Sequence, residues 1–178
     1  MHRHIQFLPL EHMKAETDSS AADWDLLPNL LPPPDPEATQ PPTENPLSLP
    51  FTHFAAPLSP STSTSAHLAE TYKSLYSLAS KRGSLLSSSP PASSNLPISY
   101  NLALTTTAML LLPRRAEGTV LKNQYGKEIG YVALNGTTLG GTLMVKQREE
   151  WDLLRQEQGK LDEVLEEIGI ERVQGVHL

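Results

Sequence analysis

The chain contains no cysteine, which removes disulfides, thiolate metal sites and cysteine nucleophiles from consideration. It is short of large aromatic side chains, with 3 Phe and 2 Trp among 178 residues. Basic charge is scarce too: 14 Lys and Arg stand against 20 Asp and Glu, a net charge of −6. Bulk nucleic-acid binding needs a cationic surface that displaces counterions, so that class is disfavoured. A small phosphorylated ligand is not, because a few local cations and backbone amides hold one. No apolar run approaches the ~20 residues of a membrane span. The His/Arg-rich start also lacks the apolar stretch of a secretory signal. The expectation is a soluble protein of the cytoplasm, with the nucleus as the alternative, and with no membrane or nucleic-acid partner.

Proline is what the chain has in excess, with 16 residues, and much of it lies in stretches rich in Ser and Thr that bury no core. Residues 11–46 read as a polar, Pro-rich insert or linker, in which Trp24, Leu26, Leu27, Leu30 and Leu31 can pin one turn of helix to a core. Residues 47–58 read as a strand with Pro50 and Pro57 near its ends. Leu68, Tyr72, Leu75, Tyr76 and Ala79 recur at helical spacing, which predicts a helix over 66–82 that stops at Gly83. Strands are expected at 98–104, 108–113 and 129–135, and the Met-Leu-Leu-Leu run of the second suits a buried strand. The stripe Leu161, Val164, Leu165, Ile168 marks a helix closed by Gly169. Strands and helices without strict alternation predict an α+β fold.

The chemistry concentrates at the start, in His2-Arg3-His4-Ile5-Gln6. Alternate residues of a strand share a face and stand roughly 6.5–7 Å apart, a useful span for holding one phosphoryl group. One imidazole can attack phosphorus, being largely neutral at cell pH, while its neighbours hold the remaining oxygens. Taken alone, the pair also fits chance surface residues, or two zinc ligands awaiting a third. A second candidate is the Gly/Thr-rich turn after residue 135, which offers amides and hydroxyls to an anion, with Lys146 as a point charge. Its bland alternative is an ordinary helix start with a solvated lysine. Arg114 and Arg115 close a buried strand, and a charged strand end is the simpler account of them.

His-x-His-x-Gln before an apolar strand resembles the active-site signature of the transferase branch of the histidine-triad superfamily. The stretches LPFTHFAAPL, SYNLALTTTAMLLLPRR, ALNGTTLGGTLMVK and LDEVLEEIGI follow in order. Together they resemble the C-terminal half of the fungal diadenosine tetraphosphate phosphorylases, also called ATP adenylyltransferases. That resemblance implies a histidine-triad-like fold, here partial, with an antiparallel sheet and flanking helices. It divides the chain into a catalytic strand of the family's first half (1–10), an insert (11–46) and the C-terminal domain (47–178).

The same resemblance implies phosphorolysis of diadenosine tetraphosphate to ATP and ADP, through a nucleotidyl-histidine. His4 is then the nucleophile, His2 its outer neighbour and Gln6 the residue that hydrogen-bonds the reacting phosphate. Asn135, Gly136, Thr137, Thr142 and Lys146 fall where the family places further substrate contacts. Relatives usually carry a serine after the asparagine and an aromatic before the small pair, where this chain has Gly136 and Leu139. No cofactor or protein-bound metal is required, and Mg2+ enters as a companion of the nucleotide. The partners implied are the dinucleotide, ATP, ADP and phosphate. Because the first strand lacks neighbours, the natural domain is expected to begin upstream of Met1. The alternative is a catalytically incomplete fragment, with exposed apolar edges and poor solubility.

Overall fold

In the computed structural model, residues 31, 41–61, 63–86, 98–139, 143–157 and 159–172 are described, with backbone only for 83–86. The expected strand at 2–10, the Ser/Pro loop centred on 87–97, the Gly140–Gly141 pair and most of the Trp24 segment lie outside them.

A continuous apolar strand sets the centre. Strand β4 (Ala108–Arg114) is buried from Ala108 to Pro113. It pairs antiparallel with β2 (Phe54–Pro57) on one side and β3 (Ser99–Leu104) on the other. A two-residue strand, β1 (Thr43–Glu44), adds to β2, giving the order β1-β2-β4-β3. Pairing with β2 ends at Leu111; beyond it only an isolated bridge between Arg114 and Gly169 continues that side of β4, and Pro113 falls in this gap in the ladder. A residue without an N–H is tolerated there. Each fully buried leucine of β4 contributes about 1.5–3 kcal/mol relative to exposure.

Both faces of this sheet are covered. Met109 and Leu111, with Phe54 and Ala56, pack on Leu75 and Ala79 of helix α1 (Ser65–Leu86). Thr64 caps that helix, its Oγ1 accepting the His67 N–H at 3.2 Å. The Tyr72 and Tyr100 hydroxyls meet at 2.6 Å and tie α1 to β3. The helix runs past Gly83 to Leu86, beyond the expected stop. A helical glycine costs about 1 kcal/mol against alanine but meets no steric barrier. One residue earlier, Arg82 is 2% exposed and paired to Glu44 of β1, which anchors the helix there.

On the opposite face, Leu110, Leu112 and Ala55 meet a hairpin and three short helices. The hairpin is β5 (Gly118–Lys122) with β6 (Glu128–Ala133). The helices are α2 (Gly136–Leu139), α3 (Arg148–Gln156) and α4 (Lys160–Ile168). Leu121, Val132, Leu139, Val164 and Ile168 form this second core, and Leu31 packs against it. Val164 and Ile168 are the buried members of the stripe read from sequence. Gly169 does follow α4, for a packing reason: a Cβ there would lie 2.5 Å from Phe51 Cβ.

The α+β antiparallel architecture therefore stands, with three changes of detail. Residues 47–53 are not strand. Asn45, at φ 52°, accepts the His53 N–H on its side-chain oxygen, and the His53 ring binds the Leu47 amide, so local side-chain bonds replace a ladder. Thr43–Glu44 is a strand inside the supposed linker. Strand β5 was not anticipated, although Thr119-Val120-Leu121 precedes a turn in which Asn123 Oδ1 accepts two amides and Gly126 takes φ 76°.

Candidate functional site

The end of β6 is held from below by two other strands. The Leu134 carbonyl accepts a hydrogen bond from the Asn101 side-chain amide of β3 and another from Arg114 of β4, the latter at 3.4 Å. Arg114 is largely buried, ion-paired to Glu117 at 3.5 Å, with its Nε unbonded. It thus does more than terminate a strand: it fixes where the next residue, Asn135, begins.

Asn135 then caps α2. Its side-chain oxygen accepts from the Thr137 hydroxyl at 2.7 Å, the Thr138 amide at 3.1 Å and the Thr138 hydroxyl at 3.2 Å. The Thr138 hydroxyl also reaches the Ala133 carbonyl at 2.8 Å. With its oxygen engaged by the turn, exposed Asn135 keeps its side-chain amide N–H groups as donors. Asn135, Gly136 and Thr137 are brought together at one sheet end.

Lys146 arrives on a different segment, just before α3. Its ammonium is exposed, and its backbone N–H donates to Glu150 Oε2 at 3.0 Å. Among the described residues no hydrogen bond joins it to the Asn135 turn. His2, His4, Gln6 and Thr142 lie outside the described residues. Asn101 and Glu150 were missed from sequence. Their signals were an amide side chain set between Tyr100 and Leu102 in β3, and the Gln-x-x-Glu spacing of a capping box.

His53 is a structural histidine. It is fully buried, its Nε2 accepting the Leu47 N–H and its Nδ1 donating to the Phe51 carbonyl, each at 3.0 Å. Those partners fit only the neutral ring. Burial lowers its pKa; the bond to Phe51 opposes this and Arg172 adds to it. His67 is half-buried on α1, while His12 and His177 lie outside the described residues. Among the described residues no three His, Cys, Asp or Glu side chains gather as a metal site. No described helix is long and apolar enough to cross a membrane.

A sequence profile for the ATP adenylyltransferase C-terminal domain matches residues 47–171. Comparison with curated proteins gives no match. Among solved structures, yeast Ap4A phosphorylase Apa2 is similar at 25% identity and a TM-score of 0.54, over 70% of this chain and 38% of that one. Yeast Apa2 in complex with AMP is similar at 22% identity and a TM-score of 0.52, over 96% and 48%. The chain thus spans less than half the length of these solved relatives, and the likeness agrees with the histidine-triad-like fold.

Proposed function

This chain belongs to the ATP adenylyltransferase C-terminal domain family, and from that premise we propose that it handles the nucleotide in adenylyl transfer, with diadenosine tetraphosphate as the parent substrate. The observation that carries this reading is the family match over 47–171, which takes in both the Asn135 turn and Lys146. The donors of that turn suit a phosphorylated ligand, and Lys146 adds a cation for a phosphate.

The reaction divides into two displacements. The His4 imidazole attacks an α-phosphorus of the dinucleotide, the bond to the leaving chain breaks, and ATP departs. An oxygen of inorganic phosphate then attacks the adenylyl-His4, the P–N bond breaks, and ADP leaves. Gln6 hydrogen-bonds the reacting phosphate without supplying a titrating proton, and His2 orients the site. Asn135, Gly136, Thr137, Thr142 and Lys146 hold the rest of the substrate. The covalent step demands no metal, and magnesium enters with the nucleotide.

Trapping with α-labelled ATP or dinucleotide tests this: wild type acquires label and His4→Ala does not. Equal labelling of the two sinks the histidine mechanism. A second reading is a member of this family without activity of its own: the chain spans less than half the length of Apa2, and under this reading it acquires no label from either substrate.

A further inference from the structure

We propose that Glu150 positions Lys146 for the phosphates of a bound nucleotide, an inference that rests on the function proposed above. Glu150 is 3% exposed, although its neighbours Glu149 and Trp151 face solvent. A buried carboxylate is costly unless it is hydrogen-bonded. Its Oε2 accepts two amides, Lys146 N–H at 3.0 Å and Gln147 N–H at 3.3 Å.

Helix capping explains only part of this. A capping box needs the bond from Glu150 to Gln147, and it works on an exposed helix start. It requires neither burial nor the second bond to Lys146. Nor does it explain Gly130: a Cβ at that position of β6 would lie 2.5 Å from both Glu150 Cδ and Oε1. The missing side chain makes a seat on β6 for the carboxyl group. Glu150 in turn holds the Lys146 backbone, so Lys146 is registered to β6, the strand that runs on into Leu134 and Asn135. Two parts of the candidate site that no hydrogen bond joins directly thereby share one ruler. The Lys146 ammonium is left exposed and uncommitted by any ion pair among the described residues. A pinned backbone with a free head is the arrangement that lowers the ordering cost of a phosphate contact.

The test is a double-mutant cycle on ATP affinity, measured by calorimetry on the full chain. Lys146→Ala is expected to weaken ATP binding about tenfold, the usual size of a lost charged contact. Glu150→Gln, which keeps shape and an acceptor, should weaken it several-fold, and Glu150→Ala nearly as much as Lys146→Ala. In the Lys146→Ala background neither Glu150 substitution should weaken binding further. Gly130→Ala, which crowds the seat from the other side, should reproduce the Glu150 result in both backgrounds. Amide exchange at Lys146 should quicken in each Glu150 variant. Equal weakening by Glu150→Gln in both backgrounds would mean that Glu150 serves the fold alone, and overturns the proposal. If Lys146→Ala leaves ATP affinity unchanged, or wild type binds no ATP, the parent reading fails and takes this inference with it.

Discussion

The two faces of the four-stranded sheet are covered in different ways. One carries a single long helix, α1, whose Leu75 and Ala79 sit against Met109 and Leu111. The other carries four short pieces, the β5–β6 hairpin and α2, α3 and α4, laid over Leu110 and Leu112. Short helices are marginal in isolation. Their ends need fixing, and side chains fix them: Asn101 and Arg114 on the Leu134 carbonyl, Glu150 on the Lys146 amide. All the described candidate-site residues lie on this patchwork side. A long helix supplies stability through one stripe, whereas a patchwork offers loop ends and the bonds to aim them.

Neighbouring leucines of β4 break this comparison most forcefully. Leu110 and Leu111 are both fully buried, one on each face. Replacing either with alanine should cost about 2–5 kcal/mol in urea unfolding, from lost transfer energy and a cavity. Binding should separate them. Leu110→Ala, under the patchwork, should also weaken ATP binding well below its melting temperature. Leu111→Ala should leave the affinity of the folded fraction intact. Equal losses of affinity would show that the faces do not divide the work.

The ion pair at the edge of the helix face comes next. Arg82 donates from Nε, at 2.9 Å, and from Nη2 to Glu44 Oε1, joining α1 to β1. Breaking a buried pair typically costs 3–5 kcal/mol, because the remaining charge is stranded. Glu44 is 18% exposed and recovers some hydration, so Arg82→Met should cost about 2–3 kcal/mol. Thermal unfolding measures this. ATP affinity should not change, since the damage falls on the face away from Asn135 and Lys146.

What the sequence revealed divides along the same line. The apolar run of β4 and the stripe ending at Ile168 are continuous local patterns, and both elements formed where the periodicity placed them. Asn135 and Lys146 were named through family resemblance, while the turn chemistry around Asn135 was physically legible in its Thr and Gly neighbours. Asn101 and Arg114 were not legible as partners. They act on one carbonyl, and 33 and 20 residues separate them from it. Glu150 spells a capping box locally, but its burial depends on Gly130, which no local pattern pairs with it. Residues 47–53 misled because apolar content suggested a strand, while Asn45 and His53 offered the backbone a competing set of bonds.

His53 gives the smallest and most local effect, at the seam of the patchwork face. Thr52 bonds the Ile170 carbonyl through its amide and the Glu171 carbonyl through its hydroxyl, and Arg172 reaches the Leu49 carbonyl. The neighbouring ring must stay neutral, because a second ring proton would face the Leu47 N–H and bury a charge near Arg172. Its pKa in the folded chain therefore lies below the ordinary imidazole value of about 6.5. As pH falls through that value, the unfolded chain takes up a proton that the folded chain refuses. The stabilisation is complete above about pH 6.5 and drains away until the folded ring also titrates. One such group changes stability by at most about 1.4 kcal/mol per pH unit. Urea unfolding at about pH 7.5, 6.5 and 5.5 should show this slope, and His53→Gln should abolish it. Over the same range, amide protection factors, corrected for the intrinsic pH dependence of exchange, should fall at Leu47 and Thr52 before they fall along α1. A slope that survives in His53→Gln, or protection lost equally on both faces, would place the acid-sensitive joint elsewhere.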